Sequence, residues 1–328
     1  MDNSFIASEC SIKIFKAMPD SFSYRNSLRF PAAKDEQTSS SIQNVVSPLR
    51  EMVAYEVLWS RRNQTLKSIS ALFKRHKALP SALLEKEFDE DIISAWESVK
   101  EYLANKSGFS VSVHGAFQYP NKLQQAKYPI ELFYYKGDIN LLESRCISVV
   151  GSRKCSDAGK KRTKKLVSEL VKHEVTIVSG LAIGIDTVAL TTAIKQKGRV
   201  VGVIGTPIDE YYPRENRELQ DEIAKEFLLL SQVPFFRYAH QPFQSKRNYF
   251  PQRNETMSAL SEATIIVEAS DTSGSLTQAR ACLSQGRKLF ILDSCFKNPD
   301  ITWPAHFEKK GAIRISDTDD ILRELKLK

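Results

Sequence analysis

Three apolar strands, each followed by a glycine, lie within residues 145–205 and constrain the fold more than any other feature. The strands are rich in β-branched side chains and are predicted over residues 146–150, 175–178 and 199–204. The glycines that follow them are Gly151, Gly180 and Gly205. Alternating strands and helices predict a parallel sheet in which the carboxyl ends of the strands meet at one edge.

Two of the glycine loops are predicted to lead directly into helices, the first opened by residues 151–154 and the second following residues 179–186. Glycine lets the backbone approach a ligand closely, and a helix N-terminus offers unpaired N–H groups and partial positive charge. Taken singly, each glycine is explained by a tight turn. Three at successive strand ends, with Ser273, Gly274 and Ser275 after a fourth strand, favour a crevice that holds an anion.

The remaining pattern predicts an α/β chain, with an extended Rossmann-like, doubly wound, mostly parallel sheet preceded by a small all-helical domain. We predict an N-terminal tail and polar linker over residues 1–48, the helical domain over 49–110 and the Rossmann-like domain over 111–328. Further strands are predicted at 132–135, 264–267, 288–292 and 311–315, and further helices at 218–230, 253–260, 275–284 and 318–327. Residues 231–250 show no clear periodicity.

Composition bounds the class of protein. The chain has 328 residues, 42% of them hydrophobic, and a formal net charge of +8, which suits a polyanionic partner without requiring one. Five cysteines without a CxxC pair predict reduced thiols in a cytoplasmic protein. No apolar run approaches the roughly 20 residues that cross a bilayer, and we expect neither a membrane association nor a signal peptide.

The common catalytic and cofactor motifs do not occur. The five histidines are scattered without metal-ligand spacing, and neither glycine loop matches GxGxxG or the P-loop pattern. Asp186 is expected to cap or open a helix, and Glu268, the acid best placed for chemistry, has no visible partner. We therefore predict no catalytic residue, no metal site and no cofactor.

Cations gather near the first glycine loop. Arg153, at the predicted start of the first helix, is expected to contact a phosphate, and Lys154 follows it. Residues 160–165 then place five cations in six positions, facing outward from the helix. A solvated face and a polyanion-binding face are equally consistent with this run.

A second basic segment, residues 243–253, interleaves cations with aromatic rings. Its cations are Lys246, Arg247 and Arg253, and its rings are those of Phe243, Tyr249 and Phe250. Proteins that bind single-stranded nucleic acid use cations for phosphates and rings for bases. The alternative is that these rings fill the core beneath a loop.

The order of several motifs resembles that of the bacterial DNA-processing protein A (DprA/Smf) family. They are residues 119–138, 149–153, 179–186, 212–216, 250–254, 267–269, 273–276 and 311–312, within a resemblance that covers roughly 117–325. The resemblance implies a Rossmann-like protein that binds single-stranded DNA without hydrolysing it, helps load the bacterial recombinase during transformation and commonly forms dimers. It places Arg153 in the DNA-contacting pocket, lined by residues 250–254. Together with the pattern above, the candidate DNA-binding residues are Gly151, Ser152, Arg153, Lys154, Gly180, Lys246, Arg247, Phe250, Arg253, Asn254, Ser273, Gly274 and Ser275.

The chain departs from the family pattern at several positions. Leu190 stands where the family usually has histidine, and Glu255 replaces a second arginine, which predicts a pocket with one cation fewer. Residues 293–297 and 303–304 replace a Pro-Gly pair and a glycine-asparagine segment, and the C-terminal winged-helix domain of some members is not expected. These departures leave two alternatives open: a nucleotide-binding sensor or nucleoside-monophosphate-processing enzyme on the same fold, and a scaffold with a vestigial crevice.

Overall fold

The computed structural model of the protein describes residues 46–86, 90–116 and 119–327, without the side chains of residues 90–93. The predicted tail and linker over residues 1–48, and Cys10 within them, therefore lie almost wholly outside the described residues. The four cysteines that are described, Cys146, Cys155, Cys282 and Cys295, are free thiols.

Helices open the described chain, as predicted. They are α1 (Pro48–Ser60), α2 (Leu66–His76), α3 (Pro80–Lys86) and α4 (Glu90–Ala104). Thr65 caps α2 in a reciprocal capping box with Ser68. The buried side chains of these helices belong to the same hydrophobic cluster as one face of the sheet. The domain boundaries at residues 48 and 110 remain a prediction.

The described chain forms a nine-stranded mixed sheet in the order β1-β2-β6-β5-β4-β3-β7-β8-β9. Its strands are β1 (Ser110–Val113), β2 (Leu132–Gly137), β3 (Cys146–Val150), β4 (Thr176–Ser179), β5 (Val200–Ile204), β6 (Leu228–Ser231), β7 (Ala263–Ile266), β8 (Lys288–Leu292) and β9 (Ile313–Ile315). From β6 to β9 all neighbours are parallel, whereas β1 and β2 are antiparallel additions at one edge. The predicted fold class is thus confirmed.

Helices cover both faces of the sheet. They are α5 (Asp157–Lys172), α6 (Ile185–Lys195), α7 (Arg217–Glu226), α8 (Phe235–His240), α9 (Phe243–Lys246), α10 (Tyr249–Leu260), α11 (Ser275–Ser284), α12 (Asp293–Phe296), α13 (Trp303–Glu308) and α14 (Thr318–Glu324). Alternate residues of β3 enter the two cores: Ile147 and Val149 face one cluster, and Cys146 and Val150 the other. Burial on both faces explains why the strands read as continuous apolar runs.

The structure corrects the predicted helix over residues 218–230. The helix ends at Glu226, and Leu228–Ser231 is instead strand β6, paired with β2 and β5. A run of leucines fits a buried helix or a buried strand equally well, so periodicity alone does not separate them. Pairing on both sides decides for the strand.

Two further boundaries differ from the prediction. Residues 231–250 contain the short helices α8 and α9, and α10 begins at Tyr249 rather than at residue 253. The first glycine loop does not open a helix, since residues 151–156 form a connection and α5 begins at Asp157. Its start is set by Ser156, whose hydroxyl accepts a hydrogen bond from Gly159 N at 2.9 Å.

Candidate nucleic-acid interface

The loop after β3 presents two cations to solvent. Arg153 and Lys154 are exposed, and the Arg153 guanidinium makes no hydrogen bond or ion pair with another described residue. Glu268 anchors the far end of this loop, because its carboxylate accepts from Ser156 N at 2.8 Å and from Ser156 Oγ at 2.6 Å. The acid that the sequence singled out for chemistry therefore holds the loop in place.

The loop after β4 packs against the backbone of the Arg153 loop. Gly184 has φ +91°, and a Cβ atom there would lie 2.6 Å from the Arg153 carbonyl oxygen and overlap that of Ser152. Ile185 N donates to the same Ser152 oxygen at 3.2 Å. Only a residue without a side chain permits this approach.

Asp186 lies in the first turn of α6, as predicted, and its side chain holds the start of the loop between β4 and α6. Its Oδ2 accepts from Gly180 N at 3.1 Å. Burial raises the pKa of this carboxyl, while the positive charge of Arg253 and backbone N–H groups oppose the rise. Asp186 is thus a structural acid.

Arg253 is buried beneath the crevice. Its side chain is only 5% exposed, Nη1 donates to the Val203 carbonyl oxygen at 3.0 Å, and the guanidinium occupies the space where a Cβ atom of Gly180 would lie. Burial lowers the pKa of Arg253, and nearby Asp186 opposes that effect. The guanidinium forms the floor of the site.

A small pocket, open to solvent, lies above this floor. It is lined by Arg153, Gly180, Ala182, Ile183, Tyr212, Pro213, Phe250 and Arg253. Tyr212 and Ile183 are 47% and 43% exposed, and the rings of Tyr212 and Phe250 lie 5.1 Å apart between centroids. Phe250 rests against Gly205, where a Cβ atom would lie 2.7 Å from the ring. The site therefore combines an unpaired guanidinium with exposed aromatic and apolar surface.

The predicted aromatic and basic segment divides into core and surface. Tyr249 is buried against Tyr238, with ring centroids 5.8 Å apart, whereas Phe243 is 69% exposed. Lys246 lies over the Tyr238 ring at 4.4 Å, and Arg247 over the Phe243 ring at 5.7 Å. The core-filling alternative thus holds for Tyr249, and binding of nucleic acid by the exposed side chains stays a prediction.

The loop after β7 adjoins the Arg153 loop without lining the pocket. Ser275 Oγ donates to the Gly151 carbonyl oxygen at 3.0 Å, and Asn254 Nδ2 donates to that of Gly274 at 3.1 Å. The structure thus brings four of the thirteen candidate residues into the pocket wall, and the other nine do not line it. The nine are Gly151, Ser152, Lys154, Lys246, Arg247, Asn254, Ser273, Gly274 and Ser275.

Sequence reasoning left four lining residues out of the candidate set: Ala182, Ile183, Tyr212 and Pro213. Ile183 carried a signal, since an apolar residue between two loop glycines has no helix or strand face to bury it. Tyr212 and Pro213 belong to one of the ordered motifs, which was a signal. The local sequence shows only a turn-rich loop there, so it did not indicate that these residues lie close to Phe250.

Two of the departures from the family pattern, Leu190 and Glu255, fall outside the pocket wall. Leu190 is fully buried on α6 in the core. Glu255 is half-buried on α10, and burial raises the pKa of its carboxyl while Lys127 opposes the rise. Residues two apart on a helix do not face the same way. Glu255 does not line the pocket, and the loss of one cation from the pocket stays a prediction.

Within the described ranges, no three His, Cys, Asp or Glu side chains are placed to hold a metal ion. None of the helices in that part of the chain combines the length and apolarity needed to cross a bilayer.

Comparison with known proteins places this geometry among relatives. The family model of DNA recombination-mediator protein A matches residues 110–326. DNA processing protein DprA of Bacillus subtilis is 37% identical over 209 residues, which are 63% of this chain and 68% of that protein. The X-ray structure of DprA from Streptococcus pneumoniae matches with a TM-score of 0.71 at 28% identity, over 84% of this chain and 97% of that one. DNA processing protein A from Helicobacter pylori, studied for its single-stranded DNA binding mode, matches with a TM-score of 0.57 at 27% identity, over 66% of this chain and 95% of that one.

Proposed function

This chain belongs to the DNA recombination-mediator protein A (DprA/Smf) family, and we propose that it binds single-stranded DNA in the pocket between Arg153, Tyr212 and Phe250. The family resemblance drawn from the ordered motifs is thereby confirmed. The observation that carries the proposal is the unpaired Arg153 guanidinium beside two adjacent rings. A guanidinium suits a phosphate, and exposed rings suit unstacked bases.

The relative from Helicobacter pylori supports this assignment, since its structural study concerns single-stranded DNA binding and its fold matches this chain at 27% identity. The exposed Tyr212 ring and the partly buried Phe250 ring in the same pocket favour a strand with splayed bases over a ligand that offers phosphate alone. The net charge of +8 is consistent with a polyanion.

We further propose that the protein binds the strand without catalysing a reaction on it. Two acids of the crevice loops are committed to holding backbone: Asp186 accepts from Gly180 N and Glu268 from Ser156 N. Incubation with nucleoside monophosphates tests this proposal, because protein-dependent release of base would establish the alternative enzyme function.

The wider role follows from the family and is also a proposal. The protein would act in the cytoplasm as a homodimer, assisting DNA uptake and recombination by passing the bound strand to the bacterial recombinase. The helical region, residues 49–110, would form a domain of its own beside the Rossmann-like domain, residues 111–328.

Replacing Arg153 by Ala should weaken binding to single strands of every sequence. Loss of one charge-assisted hydrogen bond costs about 1.5–3 kcal/mol, which is about 10- to 100-fold in affinity. The dependence of binding on salt should also become shallower, by about 0.7 in logarithmic slope for each phosphate that the variant no longer neutralises. Fluorescence anisotropy of a labelled oligothymidylate, titrated at several salt concentrations, measures both quantities.

Arg199→Ala is the matched control, since Arg199 is an exposed arginine at the amino-terminal edge of the sheet. It should bind like the parent protein. Equal affinity of Arg153→Ala and the parent would exclude the pocket as the DNA site, and displacement of the strand by a mononucleotide at comparable concentration would favour the nucleotide-sensor alternative.

Replacing Tyr212 by Ala should weaken binding without changing its salt dependence. Stacking of a base on an aromatic side chain contributes about 1–3 kcal/mol and involves no counterion release. Tyr212→Phe keeps the ring and should retain affinity, as should Phe243→Ala, which removes an exposed ring outside the pocket wall. A salt slope that changes in Tyr212→Ala would argue against stacking.

A further inference from the structure

The exposed face of α5 carries a cluster of cations that the pocket does not use. Within Asp157–Lys172 the buried residues are Gly159, Thr163, Leu166, Val167 and Leu170. Lys161, Lys164 and Lys165 lie on the opposite side and are exposed. Spacings of three and four residues place these three ammonium groups on one helical face.

Neighbouring charges on α5 are already paired. Lys160 contacts Asp157 at 3.0 Å, Lys172 contacts Glu169 at 2.8 Å, and Arg162 reaches the Glu268 carboxylate at 3.6 Å. By contrast, Lys161, Lys164 and Lys165 have neither a hydrogen bond nor an ion pair through their side chains with any described residue. Three unneutralised charges so close together repel one another unless a partner compensates them.

The cluster lies on the helix that follows the Arg153 loop in the chain. The loop that carries Arg153 and Lys154 continues through Ser156 into α5, and Glu268 holds both Ser156 and Arg162 at this junction. A strand that left the pocket past Arg153 along this connection would meet Lys154 and then the first turns of α5.

We propose that Lys161, Lys164 and Lys165 form a second contact surface, the α5 track, which binds the phosphate backbone of a single strand beyond the pocket. The inference rests on the proposed DNA-binding function. The three lysines span about 6 Å along the helix, and the whole of α5 spans about 24 Å. The track can meet only a few backbone phosphates and reads no sequence.

An anionic membrane surface fits this face less well. Helices that lie on membranes pair their cations with an exposed apolar stripe. The exposed large hydrophobic residues in the described chain are Leu49, Ile183, Tyr212 and Phe243, and none belongs to α5. Charge without apolar surface favours a nucleic-acid backbone.

The test compares the variant K161Q/K164Q/K165Q with the parent on two oligothymidylates. One, of about 4 nucleotides, fills only the pocket, and the other, of about 20, reaches the track as well. On the long strand the variant should bind about 10- to 100-fold more weakly at 0.1 M salt, and its salt slope should fall by about 2, because three phosphates at about 0.7 each are no longer neutralised. On the short strand it should bind like the parent.

Two variants control for charge. K161R/K164R/K165R keeps the cations and should retain the parent affinity. K195Q/K197Q/K310Q removes three exposed lysines from the amino-terminal edge of the sheet and should bind the long strand normally. Circular dichroism and Tm should be unchanged in all three variants, because each changed residue is exposed.

The outcomes separate this inference from the proposed function. If Arg153→Ala weakens both strands while K161Q/K164Q/K165Q leaves the long-strand affinity and slope unchanged, the track is disproved and the pocket stands. If neither variant affects either strand, the proposed function fails. Loss of binding to phosphatidylserine–phosphatidylcholine vesicles, with DNA binding intact, would assign the face to a membrane and overturn the track.

Discussion

Replacing Gly184 by Ala is expected to lower the free energy of unfolding by about 3 to 5 kcal/mol, through backbone strain and overlap with a neighbouring loop. Gly184 has φ +91° and ψ −127°, a conformation that side chains disfavour. A Cβ atom there would meet the carbonyl oxygens of Ser152 and Arg153. The backbone of the Arg153 loop must then shift, so the variant should also bind single-stranded DNA more weakly.

Urea denaturation measures the first effect and oligothymidylate binding the second. Gly274→Ala is the matched control for stability, because Gly274 has negative φ and a Cβ atom there would meet nothing within 4 Å. Its free energy of unfolding should change by less than about 1 kcal/mol. A Gly184→Ala variant as stable as the parent would show that the contact between the two loops is not constrained as described.

A second large effect is expected from Glu56, which joins α1 to the sheet and to α8. Its carboxylate is fully buried and accepts hydrogen bonds from the Tyr134 hydroxyl, from Phe235 N at 2.7 Å and from Phe236 N at 3.0 Å. Burial raises the pKa of Glu56 to about 7, and these hydrogen bonds and the charge of Lys106 oppose the rise.

The stability of the protein should therefore fall as the pH rises from about 5 to 8. The folded protein binds the Glu56 proton between the ordinary pKa of 4.5 and about 7, whereas the unfolded chain has released it. The stabilisation is fully present below pH 4.5 and is lost as the pH rises through 7. Its total is about 3 kcal/mol, from the 1.36 kcal/mol that each pKa unit represents.

Glu56→Gln removes this titration. Urea denaturation at several pH values gives the free energy of unfolding of both proteins. The value for the parent minus the value for the variant should fall by about 3 kcal/mol between pH 4.5 and 8. Glu85→Gln changes an exposed carboxylate that contacts Arg50 at 3.0 Å, and its difference from the parent should stay nearly flat. Parallel stability curves for the parent and Glu56→Gln would contradict the description of Glu56.

Local sequence accounts for most of the sheet. The strands β3, β4 and β5 lie within one residue of their predicted bounds, because short β-branched runs that end in glycine fit few other structures. β6 escaped prediction, since leucines at 228–230 suit a helix as well as a strand until β2 and β5 pair with them. The start of α5 also escaped, because the glycine loop was expected to open the helix directly, whereas Ser156 caps it five residues after Gly151.

The sequence by itself determined that side chains had to be absent at the strand ends, and that cations would gather there. It did not determine what occupies the space that the glycines leave. Only the tertiary structure brings Arg253 to Gly180 and Phe250 to Gly205, so that glycines expected to admit a ligand admit other parts of the protein instead. Tyr212 joins the pocket in the same way, from a loop whose local sequence marks only a turn. The absence of a Cβ atom is a local property of the chain, whereas the group that fills the space depends on packing between segments far apart in sequence.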